Sequence, residues 1–196
     1  MRLAAICAFS ALGLAYAGNV AADSKELKGE YGFTGSADCL VSSVGFDPQF
    51  RSLDGPNTGA LSFAVEGIRT FDGNGGGTVK GTSFGIRPRP TLNMASPPSA
   101  GTAEFSFRFT YTVDGEGGWT SAMVPGTYTS SHVTGPRTGQ TSTADVIPPV
   151  VGMISKDGKT LIAAHTTPAV ETHTYSNGDV ERRVCHRSRV FISIDN

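Results

Sequence analysis

The segment Val170-Glu171-Thr172-His173-Thr174-Tyr175 sets a carboxylate, an imidazole and a phenol at every second position. In an extended strand, side chains repeat every two residues, so Glu171, His173 and Tyr175 share one face. Turned inward, that face offers proton transfer of the cyclase or isomerase kind, or a polar grip on a bound molecule. Turned outward, it is an ordinary solvated strand. His165 is the nearest further imidazole, and the His-x-His pair of cupin-like metal barrels is absent. No metal site and no cofactor are expected.

Three other stretches imitate known chemistry. GTSFG at 81–85 matches the G-x-S-x-G pattern, which would make Ser83 a nucleophile. That role needs a strand-to-helix elbow in an α/β sheet, and no helical pattern follows. Gly158-Lys159-Thr160 resembles the end of a phosphate loop, but its upstream glycine is misplaced and the segment reads strand, Asp-Gly turn, strand. FDGNGGGTVKG at 71–81 is dense in glycine, with Asp72 and Asn74 among them. A strand pattern follows it and no acidic residue closes it, so it reads as a hairpin rather than a phosphate or calcium loop.

The elements able to position these groups are strands. No long segment carries apolar residues at helical spacing; alternation broken by Asp-Gly and Asn-Gly turns recurs instead. Strands are expected over 29–42, 59–71, 77–87, 101–113, 118–133, 149–155, 159–166, 169–175 and 180–194. In 105–113, Phe105, Phe107, Phe109 and Tyr111 fall on one face, with Ser106, Arg108 and Thr110 on the other. Those four aromatics are the candidate ligand-binding wall. The expected fold is all-β, a single antiparallel meander β-barrel of about eight strands, with a two-sheet sandwich as the alternative. Closure removes both open edges of such a sheet.

Residues 1–22 read as a secretory signal peptide: Arg2, an apolar run from Leu3 to Leu14, then small residues. Residues 23–196 form the barrel domain, placed in the periplasm or outside the cell, with no integral membrane segment after cleavage. An outer-membrane barrel fits poorly, because 118–133 and 181–189 lack a continuous lipid-facing apolar set. Removing the signal leaves Cys39 and Cys185, which in an exported chain read as one disulfide joining the first and last strands. Lys plus Arg number 16 against 17 Asp plus Glu, which argues against nucleic acid as a partner. The local excess in ERRVCHRSR at 181–189 reads as a solvated strand face.

On GEYGFTGSADCLVS, GIRTFDGNGGGTVKG, VVGMISKDGKTLI and VCHRSRVF, the chain resembles a group of small exported bacterial proteins. In architecture it is similar to small antiparallel barrels of the lipocalin and allene oxide cyclase type. Gly29-Glu30-Tyr31 stands where lipocalins carry Gly-x-Trp, which tilts the likeness toward the cyclase-like shape. The resemblance implies shape, and it transfers no catalytic residue. The favoured function is an exported barrel binding a small, largely apolar molecule in its interior. A structural or interaction protein of the cell envelope is the alternative, with 121–143 and the Arg cluster as its surfaces. A cyclase or isomerase using Glu171, His173 and Tyr175 is the third reading.

Overall fold

The computed structural model describes residues 27–89 and 97–194; the signal-peptide segment 1–22 lies outside the described residues. Five long strands, β1 (Lys28–Ser42), β2 (Gly59–Asp72), β3 (Gly76–Arg89), β4 (Ser99–Val113) and β11 (Val180–Ser193), span the whole molecule. Six short ones complete it: β5 (Gly118–Met123), β6 (Tyr128–His132), β7 (Thr141–Ala144), β8 (Val150–Ile154), β9 (Thr160–Ala164) and β10 (Val170–Tyr175). All eleven belong to one antiparallel sheet that closes where β1 pairs with β11.

The closure is double. β4 gives residues 109–113 to β5 and residues 103–106 to β6. From β5 the sheet runs through β8 and β9 to residues 188–192 of β11. From β6 it runs through β7 and β10 to residues 180–184 of β11. The result is an eight-stave barrel in which three staves are each built from two short strands, one in the lower half (β5, β8, β9) and one in the upper (β6, β7, β10). The expected strand 118–133 is therefore two. Val124-Pro125-Gly126-Thr127 divides it, with Gly126 at φ 72° and the Thr127 amide donating to the Val124 carbonyl. Pro followed by a positive-φ Gly is a turn signal that overrides the alternation around it.

The FDGNGGG stretch is the β2–β3 hairpin. Asp72 Oδ1 accepts from the backbone amides of Asn74 (2.7 Å) and Gly76 (2.9 Å), while Gly73 and Gly75 hold φ of 79° and 86°. Those amides, the largest influence on it, hold the Asp72 carboxyl below its ordinary value. Asp157 binds its own turn similarly, accepting from the Lys159 amide at 3.0 Å. The acid-glycine loops are turn chemistry.

Aromatic residues fill the lower half. Phe71 is the hub, with ring centroids 5.2 Å from Tyr31, 5.2 Å from Phe109, 5.1 Å from Tyr111 and 6.1 Å from Trp119, all edge-to-face. Each polar tip is satisfied: Tyr31 Oη donates to the Gly158 carbonyl, Tyr111 Oη to Leu27 and Trp119 Nε1 to Ile162. Burying a large side chain of this kind contributes about 1.5–3 kcal/mol, so the plug is the main apolar core. In the upper half, Cys39 faces Cys185 across β1 and β11 as a disulfide, with Cα atoms 4.1 Å apart. Among the described residues no helix is long and apolar enough to cross a membrane. The outer wall carries an exposed apolar stripe, Val151, Met153, Ile162, Val190 and Ile192, across β8, β9 and β11.

Candidate functional site

Above the plug the barrel is hollow. A cavity of about 560 Å³ lies between the upper staves and reaches down to Phe33, Val65, Arg69 and Phe191. Its size follows from the residue sizes on β3 and β4. Inward positions 77, 79, 81, 83 and 85 of β3 are Gly, Val, Gly, Ser and Gly, paired with Phe109, Phe107, Phe105, Ala103 and Gly101 of β4. A Cβ on Gly77 would meet the Phe109 ring, and one on Gly81 would come within 2.9 Å of the Phe105 ring. Aromatic rings thus lie flat over glycine in the lower and middle barrel. Toward the top both strands carry small residues, and space opens.

The expected aromatic wall divides at this boundary. Phe105 and Phe107 line the cavity, stacked at 6.4 Å with Tyr128 beside them. Phe109 and Tyr111 are buried in the plug and are not part of the lining. Glu171, His173 and Tyr175 all turn inward on β10, as alternation requires. His173 and Tyr175 line the cavity, with Glu171 fully buried behind them.

Glu171 is held by Arg187, whose Nη2 donates to Oε2 at 2.5 Å while Nη1 donates to Oε1. Burial, the largest single influence, would raise the Glu171 carboxyl, but Arg187 and His173 together outweigh it and hold the group at about 2. His173 Nε2 lies 3.4 Å from Glu171 Oε2. Burial first and Arg183 second push His173 down to about 4, so at neutral pH this is a neutral imidazole donating to a carboxylate. His165, pushed to about 4 by burial and by Arg187, accepts from Arg187 Nη1 at Nδ1 over 3.1 Å. Nearer the mouth, Glu181 is shared. Arg183 Nε donates to its Oε1 at 2.6 Å, Arg87 Nη2 at 3.1 Å, and Arg137 stands 3.8 Å away. Burial alone would raise Glu181 as well, yet Arg183 and Arg87 hold it at about 2. Arg183 Nη2 also donates to Tyr175 Oη at 2.7 Å, and Arg137 stacks 3.5 Å above the Tyr175 ring.

The Arg cluster expected on a solvated face is turned inward instead. Arg183, Arg187 and Arg189 line the cavity; of the four, Arg182 alone is not in the lining. Parity explains the correction: these three positions alternate in step with buried Cys185 and Phe191, so whatever buries the cysteine faces them inward too. Arg69 was equally legible, falling in step with Val65 and Phe71 on β2. Arg137 sits in the β6–β7 loop, where no periodicity points to it. The stretch 121–143, expected as a partner surface, contributes β6, most of β7 and the buried side chains of Ser121, Ser130 and Ser142. Ser83 stands mid-strand in β3, its Oγ donating to the Ala103 carbonyl at 3.3 Å, far from any elbow geometry. Among the described residues, no three His, Cys, Asp or Glu side chains are grouped to hold a metal ion.

The chamber is thus an apolar wall of Phe63, Phe105 and Phe107 facing a hydrogen-bonded polar wall of β10 and β11, with an aromatic floor. Compared with family models, curated proteins and solved structures, the chain finds no match.

Proposed function

We propose that this protein is an exported carrier whose barrel holds a small, largely apolar molecule in its hollow upper half. The observation that carries the reading is the cavity of about 560 Å³, open on one side and floored by packed aromatics. Its volume falls in the range of small-molecule sites, which are concave and mostly apolar with a few fixed polar groups. The signal-like segment 1–22 and the Cys39–Cys185 bridge support export.

The enzyme reading has less support. Glu171 is salt-locked and ionised down to about pH 2, so it accepts no proton near neutral pH. The partner-surface reading loses three of the four arginines in the cluster it drew on, since Arg183, Arg187 and Arg189 face the chamber.

The test is displacement of an environment-sensitive apolar dye by small apolar molecules, in the parent and in Ser83→Phe. Ser83 lines the cavity beside Gly81 and Gly85, so a phenyl ring there occupies the chamber without touching the plug. The parent binds the dye with one site, and Ser83→Phe loses at least tenfold in affinity while keeping its circular dichroism. Equal binding by both proteins would place the dye elsewhere and defeat the reading.

A further inference from the structure

The chamber's charge is lopsided. Among the described residues its lining carries six guanidiniums (Arg69, Arg87, Arg137, Arg183, Arg187 and Arg189). They meet three carboxylates: Glu171, Glu181 and Asp179. With His165 and His173 neutral, three positive charges remain uncompensated inside a chain whose formal net charge is −1. Such a focused field draws in anions and repels cations.

Two of the six, Arg69 and Arg189, have no carboxylate partner among the described residues; Arg189 Nη1 donates to the Ser36 and Ser188 carbonyls at 2.8 and 2.6 Å, and Arg69 is the more deeply buried of the two. Arg187 has Glu171, while Arg87, Arg137 and Arg183 gather around Glu181, and Arg137 also reaches Asp179. Arg69, 5 % exposed on the chamber floor, has no carboxylate partner among the described residues. Its Nη2 donates to Ser121 Oγ, and its Nε is buried without a hydrogen-bond partner among the described residues. The guanidinium lies 3.6 Å over the Phe109 ring and within 5.6 Å of Phe71, Trp119 and Phe191, contacts that orient it but supply no counter-charge. Burial pulls its pKa down to about 9. A buried, unpaired charge is destabilising, and at the bottom of a cavity it is a position that an anion would complete.

We infer that the molecule held in the chamber is an organic carboxylate, its apolar body against Phe63, Phe105 and Phe107 and its acid group against Arg69 on the floor. This rests on the carrier reading above and adds the chemical class of the cargo. Arg87, Arg137 and Arg183 lie nearer the mouth, where their shared surplus draws the acid inward. Guanidinium suits the task because its planar donor edge matches a carboxylate.

The test is a matched series, decanoate, methyl decanoate, decanol and decylamine, titrated into the purified protein and followed by the fluorescence of Trp119, the chain's single tryptophan, 5.3 Å from the Arg69 guanidinium. Decanoate is expected to bind at least tenfold tighter than its ester or alcohol, with decylamine weakest. Arg69→Met should bring decanoate down to the ester's affinity while leaving the ester unchanged, and Arg69→Lys should keep part of the preference. With no ligand present, the unfolding midpoint of Arg69→Met should be no lower than the parent's. A purely structural Arg69 would instead weaken all four ligands together and lower that midpoint. Equal affinity for acid and ester in the parent overturns the carboxylate inference and leaves the carrier reading standing. A preference that survives Arg69→Met moves the acid to another of the lining arginines, Arg189 or the mouth cluster, and overturns the assignment to Arg69. Failure of all four to bind overturns both.

Discussion

Glu171 and Arg187 show how a charged pair sits inside this barrel: each is buried, and each is useful only while the other is present. Glu171→Gln leaves Arg187 without its carboxylate and should cost about 3–5 kcal/mol of stability. The double variant Glu171→Gln/Arg187→Met should recover most of it, because no lone charge remains. Urea unfolding of the parent, both single variants and the double variant decides this; simple additivity would deny the coupling. The histidines make a second prediction. In the folded protein His165 and His173 resist protonation down to about pH 4, whereas unfolded imidazoles accept a proton near pH 6.5. Between those values the unfolded chain holds more protons, so stability falls as pH drops, by about 1–2 kcal/mol per histidine from pH 7 to pH 5. Glu171 and Glu181 extend the loss from about pH 4.5 down toward 2, since their folded values are depressed. Unfolding midpoints measured at pH 7, 6 and 5 should decline steadily, and a flat series would contradict the burial of these rings. At this scale much was legible. Parity alone assigns Arg69, Arg183 and Arg187 to the same faces as their buried neighbours. It cannot say which carboxylate each arginine meets, because that depends on strands distant in sequence.

The strand elements divide the barrel between packing and space. β3 is the lever, since its alternate glycines let the rings of β4 lie flat against it. β8 uses the same device once: a Cβ on Gly152 would collide with the Ile162 carbonyl and come within 2.7 Å of Trp119 Nε1. Gly152→Ala should therefore lower the unfolding midpoint by several degrees and shift Trp119 emission; an unchanged spectrum would mean the indole is not seated there. Phe71→Ala, at the hub of the plug, should cost about 3–5 kcal/mol as read by urea unfolding. The five long strands were readable from alternation and their Asp-Gly and Asn-Gly turns. β7 was not: Thr141–Ala144 has four small residues and no apolar pattern, and β6 and β10 hold it in place. The β5–β6 break was hidden by the opposite effect, a continuous alternation running through a Pro-Gly turn.

At the scale of the whole molecule, closure joins the chain's two ends. β1 and β11 pair over twelve positions, from Tyr31 with Ser193 to Ser42 with Arg182, and the Cys39–Cys185 bridge lies within that ladder. The bridge spans 146 residues of sequence, so it restricts the unfolded chain strongly, and replacing both cysteines by serine should cost about 2–5 kcal/mol. The ladder persists without it, so the variant should still fold at moderate temperature. Closure was foreseeable from two cysteines near opposite ends. The double circuit was not, because it arises from β4 and β11 each dividing their partners between two short strands. That division separates a packed lower half from a hollow upper half, and the carrier reading depends on this separation. The most direct test is native mass spectrometry of the protein purified from its own host. The account predicts a bound small organic acid that is released on unfolding and missing from Ser83→Phe. A bare chain in both, with no uptake of decanoate by the parent, would contradict it.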